Sequence, residues 1–341
     1  MSNEFNLQSN LSSKEWDSNM SKLNDYNVFQ SYNFGEFYKK NKHESTIIRS
    51  SLAKGSSLVV MSQARLKKIK LLNFALIYMN GGPMFNFSNE DKVNKKYLKQ
   101  FLTSFIDEIK KTYKNHYIYL NINSPSNSLD KLILKELGFQ RPVFPKNQPF
   151  TFILNTKRSL DEIHKSFHPK WRNQLKKSQS YNHTYEIGNN RNFINRFIDI
   201  HIQMCDMKGN TDIKISKPSL NKLQHLIKDS LQIVIVKLDD KDVAGCVILT
   251  FEQKAYYLYA AANEIARKHY SSNNMIWCLT KYLINNGISE LDTSGVDPLK
   301  FWGGYNFKKK FSSFPLEYNG EWEYASNKIL KHFINFLIKM R

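Results

Sequence analysis

Acidic residues are in short supply in this chain: 30 Asp and Glu stand against 50 Lys and Arg, a formal net charge of +20. Such a surface attracts phosphates, nucleic acid, anionic lipid head groups or acidic small molecules. Cysteine is scarcer still. Cys205, Cys246 and Cys278 are far apart and in no CxxC or Cys/His cluster, so they read as reduced, buried thiols rather than a disulfide framework. None of the nine histidines falls in HExxH-type spacing, and no catalytic metal is expected. No apolar run approaches membrane-spanning length, and the opening MSNEFNLQSN lacks the charged and apolar blocks of a signal peptide. The expectation is a soluble, cytoplasmic, monomeric protein.

What is present suffices for a folded core. Hydrophobic residues make up 41% and aromatics 13%, which removes the compositional case for disorder. The length of 341 residues suits two domains of ordinary size or one large one. After a polar stretch with an early helix, the first half shows β-rich runs at 45–50, 56–66 and 74–81. An amphipathic helix over 95–115, a strand at 116–122, a helix over 127–139 closed by Gly138 and a strand at 151–156 follow. The second half repeats that order. Helices at 159–167, 169–181 and 192–209 precede strands at 231–238, 243–251 and 255–262, whose short links DDKD and EQK imply an antiparallel meander. A helix over 271–287 and a strand at 288–295 then imply a parallel pair beside it.

Each half thus reads as an α+β domain, and the order matches the N-acetyltransferase (GNAT) fold, in which the sheet splays between its middle strands and an acyl donor lies in the gap. Two tandem GNAT-like domains with mixed, mainly antiparallel sheets are expected, over 1–155 (acceptor side) and 156–324 (acyl-transfer side), followed by a basic amphipathic segment, 325–341. FWGGYNFKKKF (301–311) reads as a closing strand, its glycines allowing close backbone approach.

Local motifs accompany this order: VFQSYNFGEFYKK (28–40), MNGGP (79–83), KWRNQLKKSQ (170–179), MKG (207–209), AYYLYAAAN, LDTSGVD (291–297) and the closing GYNFKKKFSSFPLEYNGEWEY. On these the chain resembles the Fem family, the aminoacyltransferases that build peptidoglycan interpeptide bridges, and related doubled-GNAT acyltransferases. It departs from them in three ways. No sustained heptad stretch supplies the coiled-coil arm of the bridge-forming members. Ser312 stands where glycine is usual, and Lys208 where arginine is usual. The resemblance implies transfer of an aminoacyl group from aminoacyl-tRNA to an amine of a phosphate-bearing cell-wall or other cell-envelope precursor. It also implies that Phe307 and Lys308 sit by the donor's reacting end, and that Lys39 or Lys40 meets the acceptor's phosphates.

Local chemistry keeps the donor open. Coenzyme A pyrophosphate is usually held by Q/R-x-x-G-x-G/A at a helix head. The corresponding stretch is RKHYSS (267–272): Arg267 matches, but Tyr270 and Ser272 stand where glycine and a small residue are wanted. An acyl-CoA-dependent N-acyltransferase acting on an amino sugar is the alternative, and a non-catalytic RNA- or membrane-binding module the second. The basic segments 165–177 and 308–310 suit a polyanionic donor or a solvated helix face. Trp171 and Arg172 suit an anchored ring beside a phosphate-facing guanidinium.

No Ser-His-Asp or Cys-His set is present, so direct attack by the acceptor amine is expected, with the donor as a co-substrate and no bound cofactor. Lys308, held among Tyr305, Phe307 and Phe311, would be partly desolvated and pull harder on an oxyanion or phosphate. In the opposing reading all three lysines snorkel into water. Asp292 could orient the amine, accept its proton, or cap a turn at Ser294 and Gly295. Tyr257 and Tyr259, two apart on a strand, are expected to share a face that lines a cleft or the core. In the terminal stretch 327–341, Ile329, Leu330, Phe333, Ile334, Leu337 and Met340 form one stripe, for packing on the second domain or for docking on an anionic membrane.

Overall fold

The computed structural model describes residues 3–41, 45–69, 74–86, 92–128, 131–209, 215–312 and 314–339. They form two compact units, Met1–Pro149 with Glu317–Arg341, and Phe150–Leu316. Residues 150–155 therefore lie with the second unit and 317–324 with the first, where the sequence suggested the reverse.

The first unit runs β1 (Asn3–Asn6), α1 (Ser13–Met20), α2 (Tyr32–Asn41), β2 (Ser45–Lys54), β3 (Ser57–Ile69), β4 (Phe74–Asn80), β5 (Met84–Phe85), α3 (Lys92–Thr112), β6 (Asn115–Pro125) and α4 (Lys131–Glu136). The closing strand, Phe314–Ala325, then pairs antiparallel with β6, Trp322 opposite Leu120. β4 and β6 are the parallel pair, as a strand–helix–strand connection requires, and the remaining pairs are antiparallel. The apolar stripe of α3, Leu98, Phe101, Leu102, Phe105 and Ile109, packs with Ile77, Ile118, Leu120 and Trp322 in one core.

The helix Lys328–Lys339 belongs to this unit as well. Leu330 and Ile334 pack on Phe74, Tyr117 and Tyr119, and Lys331 pairs with the buried Glu323 at 3.0 Å. That corrects the expectation of packing on the second domain. Ile329, Phe333 and Phe336 stay exposed; the side chain of Leu337 and residues Met340 and Arg341 lie outside the described set.

The second unit runs β7 (Phe150–Asn155), α5 (Leu160–Ser166), α6 (Pro169–Ser178), β8 (His183–Gly188), α7 (Arg191–Lys208), α8 (Lys217–Ile227), β9 (Leu231–Leu238), β10 (Lys241–Phe251), β11 (Lys254–Ala262), α9 (Glu264–Lys268), α10 (Ser271–Asn285), β12 (Glu290–Asp292) and α11 (Trp302–Phe311). Its sheet runs β7-β12-β11-β10-β9-β8, with β11 and β12 parallel and the rest antiparallel. Local chemistry starts and stops these elements. A Ser159–Glu162 capping box opens α5, Pro169 begins α6, and Gly209 ends α7 at a φ of 61°. Asp239 and Asp240, both at positive φ, make the tight β9–β10 turn.

The stretch FWGGYNFKKKF is a helix, not a strand. Its rings invite a β reading, but Phe307 and Phe311 are four apart and therefore stack on one helix face. Neither β8, whose side chains alternate poorly, nor α8 was anticipated.

Because Trp322 is buried in the core shared with α3, Trp322→Ala should lower the unfolding free energy by about 3–5 kcal/mol. Urea unfolding followed by circular dichroism measures this. A loss under about 1 kcal/mol would mean that the closing strand adds little to that core.

Candidate functional site

In the second unit β11 and β12 pair only over Lys254–Tyr256 and Glu290–Asp292. β11 then runs on to Ala262 without this partner, and a cavity of about 510 Å³ lies along Tyr257 and Ala260–Ala262. Met204 and Lys208 from the end of α7, Arg267 from α9, and Ser272 and Met275 from the head of α10 form further walls. Gly303, Gly304, Phe307 and Lys308 of α11 close it. Lys208, Arg267 and Lys308 bring three cations to this space, and no carboxylate is among its described lining residues. Such a lining holds an anion or a carbonyl on which charge develops.

α11 is anchored from below. The fully buried Trp171 packs against Phe307 and Phe311, with ring centroids 6.4 and 6.1 Å apart, and the His168 N–H donates to the Lys310 carbonyl at 2.9 Å. One helical residue further than Phe307, about 100° around the axis, Lys308 reaches the cavity.

There its ammonium donates to the carbonyls of Ser294 and Gly295 at 3.2 and 3.3 Å. Those carbonyls are set by a turn. Ser294 sits at a φ of 60°, its N–H donates to Asp292 Oδ1 at 2.7 Å, and the Thr151 hydroxyl donates to the same carboxylate oxygen. Burial pushes the Lys308 amine down to about 8, against the opposing pull of Asp292. Of the three ammonium protons, two are committed to the turn, which leaves one for the cavity.

The structure thus brings together Phe307, Lys308, Lys208, Tyr257 and Arg267 around one space, with the buried Asp292 behind it as the anchor of the turn. Four expectations change. Trp171 is a core residue that no ligand can touch, and Arg172 lines neither this cavity nor the one beyond α11. Tyr257 and Tyr259 do not share a face, because the register shifts between their partners Ile248 and Val247, which point to opposite sides of the sheet. Tyr259 accordingly lies outside the cavity lining. Tyr305 lines a different cavity. Lys39 and Lys40 are exposed on the last turn of α2 in the first unit.

Gly303 and Gly304 do not serve close backbone packing: a Cβ on either would meet nothing within 4 Å. Their bare backbone instead leaves room in the cavity. Sequence reasoning missed Thr151, whose contact with Asp292 spans 141 residues. The Asp-x-Ser-Gly turn signal in LDTSG was visible.

Among solved structures the chain resembles that of FemX, with a TM-score of 0.81 at 17% identity, covering 98% of this chain and 100% of that one. A tandem GNAT protein from the clavulanic acid biosynthesis pathway gives a TM-score of 0.56 at 8% identity and 96% coverage of this chain. These likenesses show a fold of the doubled GNAT type. Residues 206–339 match the FemAB family. Among curated proteins, Lipid II:glycine glycyltransferase of Staphylococcus epidermidis is 21% identical over 84% of this chain and 85% of its own length. The Staphylococcus aureus (strain COL) protein of that name is 22% identical over the same shares. Over these spans the chain is similar to members of the Fem family.

Gly304→Ala should stabilise α11 by up to about 1 kcal/mol, since alanine replaces glycine in a helix without a clash, while narrowing the cavity. The expected result is an unchanged or higher Tm with a raised KM. A higher Tm with unaltered kinetics would mean that no substrate passes over this wall.

Proposed function

We propose that this protein transfers an aminoacyl group from aminoacyl-tRNA to an amine of a phosphate-bearing peptidoglycan precursor. The observation that carries this reading is the three-cation cavity with a desolvated Lys308 ammonium aimed into it. The relatives named for glycine transfer to lipid II support it.

In this reaction the neutral acceptor amine attacks the ester carbonyl of the donor and a C–N bond forms. Negative charge collects on the carbonyl oxygen, where the free Lys308 proton stabilises it. The ester C–O bond then breaks, and the proton shed by the attacking nitrogen passes to the departing ribose oxygen. Asp292 and Thr151 hold the turn that fixes Lys308, and Lys208 and Arg267 supply charge for phosphate. In this reading the exposed Ile329, Phe333 and Phe336, flanked by Lys328 and Lys339, meet the anionic membrane that carries the precursor.

An acyl-CoA donor is the second reading, favoured by Tyr270, whose φ of 55° gives the head of α10 the backbone form a phosphate-loop glycine takes. Parallel assays with charged tRNA and acyl-CoA, using lipid- and nucleotide-linked precursors as acceptors, separate the two. Transfer is expected from charged tRNA alone. Turnover with acyl-CoA alone would replace the first reading, and none with either would leave a binding module.

The pH dependence tests Lys308. An ammonium that titrates at about 8 gives a kcat/KM that falls as pH rises through that value, while acceptor deprotonation adds a rising limb below it. Lys308→Arg, which stays charged, should abolish the falling limb, and Lys308→Ala should cost about 10²–10³-fold in kcat. A wild-type rate that climbs through pH 8 would instead identify Lys308 as a base.

A further inference from the structure

Three large apolar side chains that the structure leaves in water fall within four residues of each other. Leu299 is 94% exposed, Phe301 58% and Trp302 62%, at the turn that leads into α11. The turn is firmly built. Asp297 Oδ1 accepts the N–H groups of Leu299 and Lys300 at 2.9 and 3.0 Å, and the Asp297 carbonyl accepts that of Phe301 at 3.0 Å. Trp302 stacks on Tyr305 with ring centroids 5.6 Å apart. Holding these side chains in water is unfavourable, and a patch of this kind marks a contact surface. Its surroundings are positive. Lys300 is exposed, the Lys309 ammonium lies 5.8 Å from the Tyr305 centroid, and α11 starts without a capping side chain, which leaves its positive end open. Of the lysine run in α11, Lys308 enters the first cavity, whereas Lys309 and Lys310 border a second of about 610 Å³. Between residues 293 and 312 the one carboxylate is Asp297, which is buried and bonded to the turn itself.

Outward apolar side chains, cations around them and no exposed acid match an anionic lipid surface. Tryptophan and phenylalanine settle at the level of the head groups, leucine reaches the acyl boundary, and lysines meet the phosphates. Single-stranded RNA stacks on free ring faces, but Leu299, the most exposed of the three, has none, and Trp302 already stacks on Tyr305. A second copy or another protein needs about 800 Å² on each side, more than three side chains provide. We infer that turn 299–302 is a wedge by which the second unit inserts into an anionic membrane. Phe301 also lines the first cavity, so the inserted turn keeps that cavity at the lipid surface. This contact is separate from that of the helix Lys328–Lys339, which belongs to the first unit, and it does not depend on which donor the protein uses.

The tryptophans supply the probe. Trp16, Trp171, Trp277 and Trp322 are buried, and of the five only Trp302 is exposed. The full-length protein is titrated with vesicles of phosphatidylcholine and phosphatidylglycerol, and with the same vesicles carrying brominated acyl chains. The wild type should bind, shift its emission to the blue and be quenched by the brominated lipid. Trp302→Phe should bind equally well and lose the quenching. The double variant Leu299→Ser, Trp302→Ser should lower the partition coefficient about tenfold or more, with circular dichroism confirming its fold. Vesicles of phosphatidylcholine alone should bind more weakly than the charged ones. Binding without quenching of Trp302 would overturn the inference, because the helix Lys328–Lys339 contains no tryptophan and would then account for the contact. Absence of binding would also overturn it. So would shielding of Trp302 from acrylamide by raised protein concentration alone, which indicates a second copy, or a blue shift produced by an RNA hairpin and not by vesicles. If vesicles quench Trp302 while charged tRNA supports no transfer, the wedge stands and the donor reading fails; with transfer but no quenching, the reverse holds.

Discussion

Two parallel strands that stay together for only three residue pairs organise the second unit. Every further pair would have closed the sheet; because β12 ends at Asp292, the edge of β11 from Tyr257 onward faces open space instead. Backbone groups left without a ladder partner are costly inside a protein and useful at a binding site. The surrounding elements serve that opening. The head of α10 borders it, the basic end of α7 reaches it, and α11 covers it with a face made of two glycines, a ring and an amine.

The amine is the most constrained group in that face. Burying an ammonium among apolar residues is unfavourable unless its protons find acceptors. The Ser294 and Gly295 carbonyls supply them, and a left-handed serine, held by Asp292 and Thr151, keeps those carbonyls in place. A carboxylate that the residue types alone left between base and turn cap thus acts as a turn anchor. Its charge is also what opposes the full desolvation shift of Lys308. The helix periodicity then explains the lysine triplet. Successive residues point about 100° apart, so three adjacent lysines serve different spaces rather than one patch.

Much of the fold was legible because the signals are local. Hairpin turns, helix caps, the apolar stripe of α3 and the strand–helix–strand spacings depend on residues within one or two turns of each other, and those elements stand where the patterns placed them. The failures share a different character. α11 was misread because its rings have strand-like composition, and the deciding contact is with Trp171, 136 and 140 residues before Phe307 and Phe311 in sequence. Tyr257 and Tyr259 were given a common face because alternation is assumed until a bulge interrupts it, and the bulge exists only in the pairing with β10. Trp171 looked like a ligand platform because a Trp-Arg pair has the same appearance whether its ring is buried or free.

By itself the sequence determined the doubled α+β architecture and the Fem-type motifs, since these reside in order, periodicity and residue type; the choice of Lys308 among three lysines came from the resemblance. Tertiary structure alone decided which side of a helix or strand each chemical group faces. It put the chain's last strand in the first unit, placed Asp292 behind the site rather than in it, and divided three consecutive lysines between two cavities. The physical reason is that side-chain direction follows from helix rotation, bulges and long-range packing, all of which are settled only when distant segments meet.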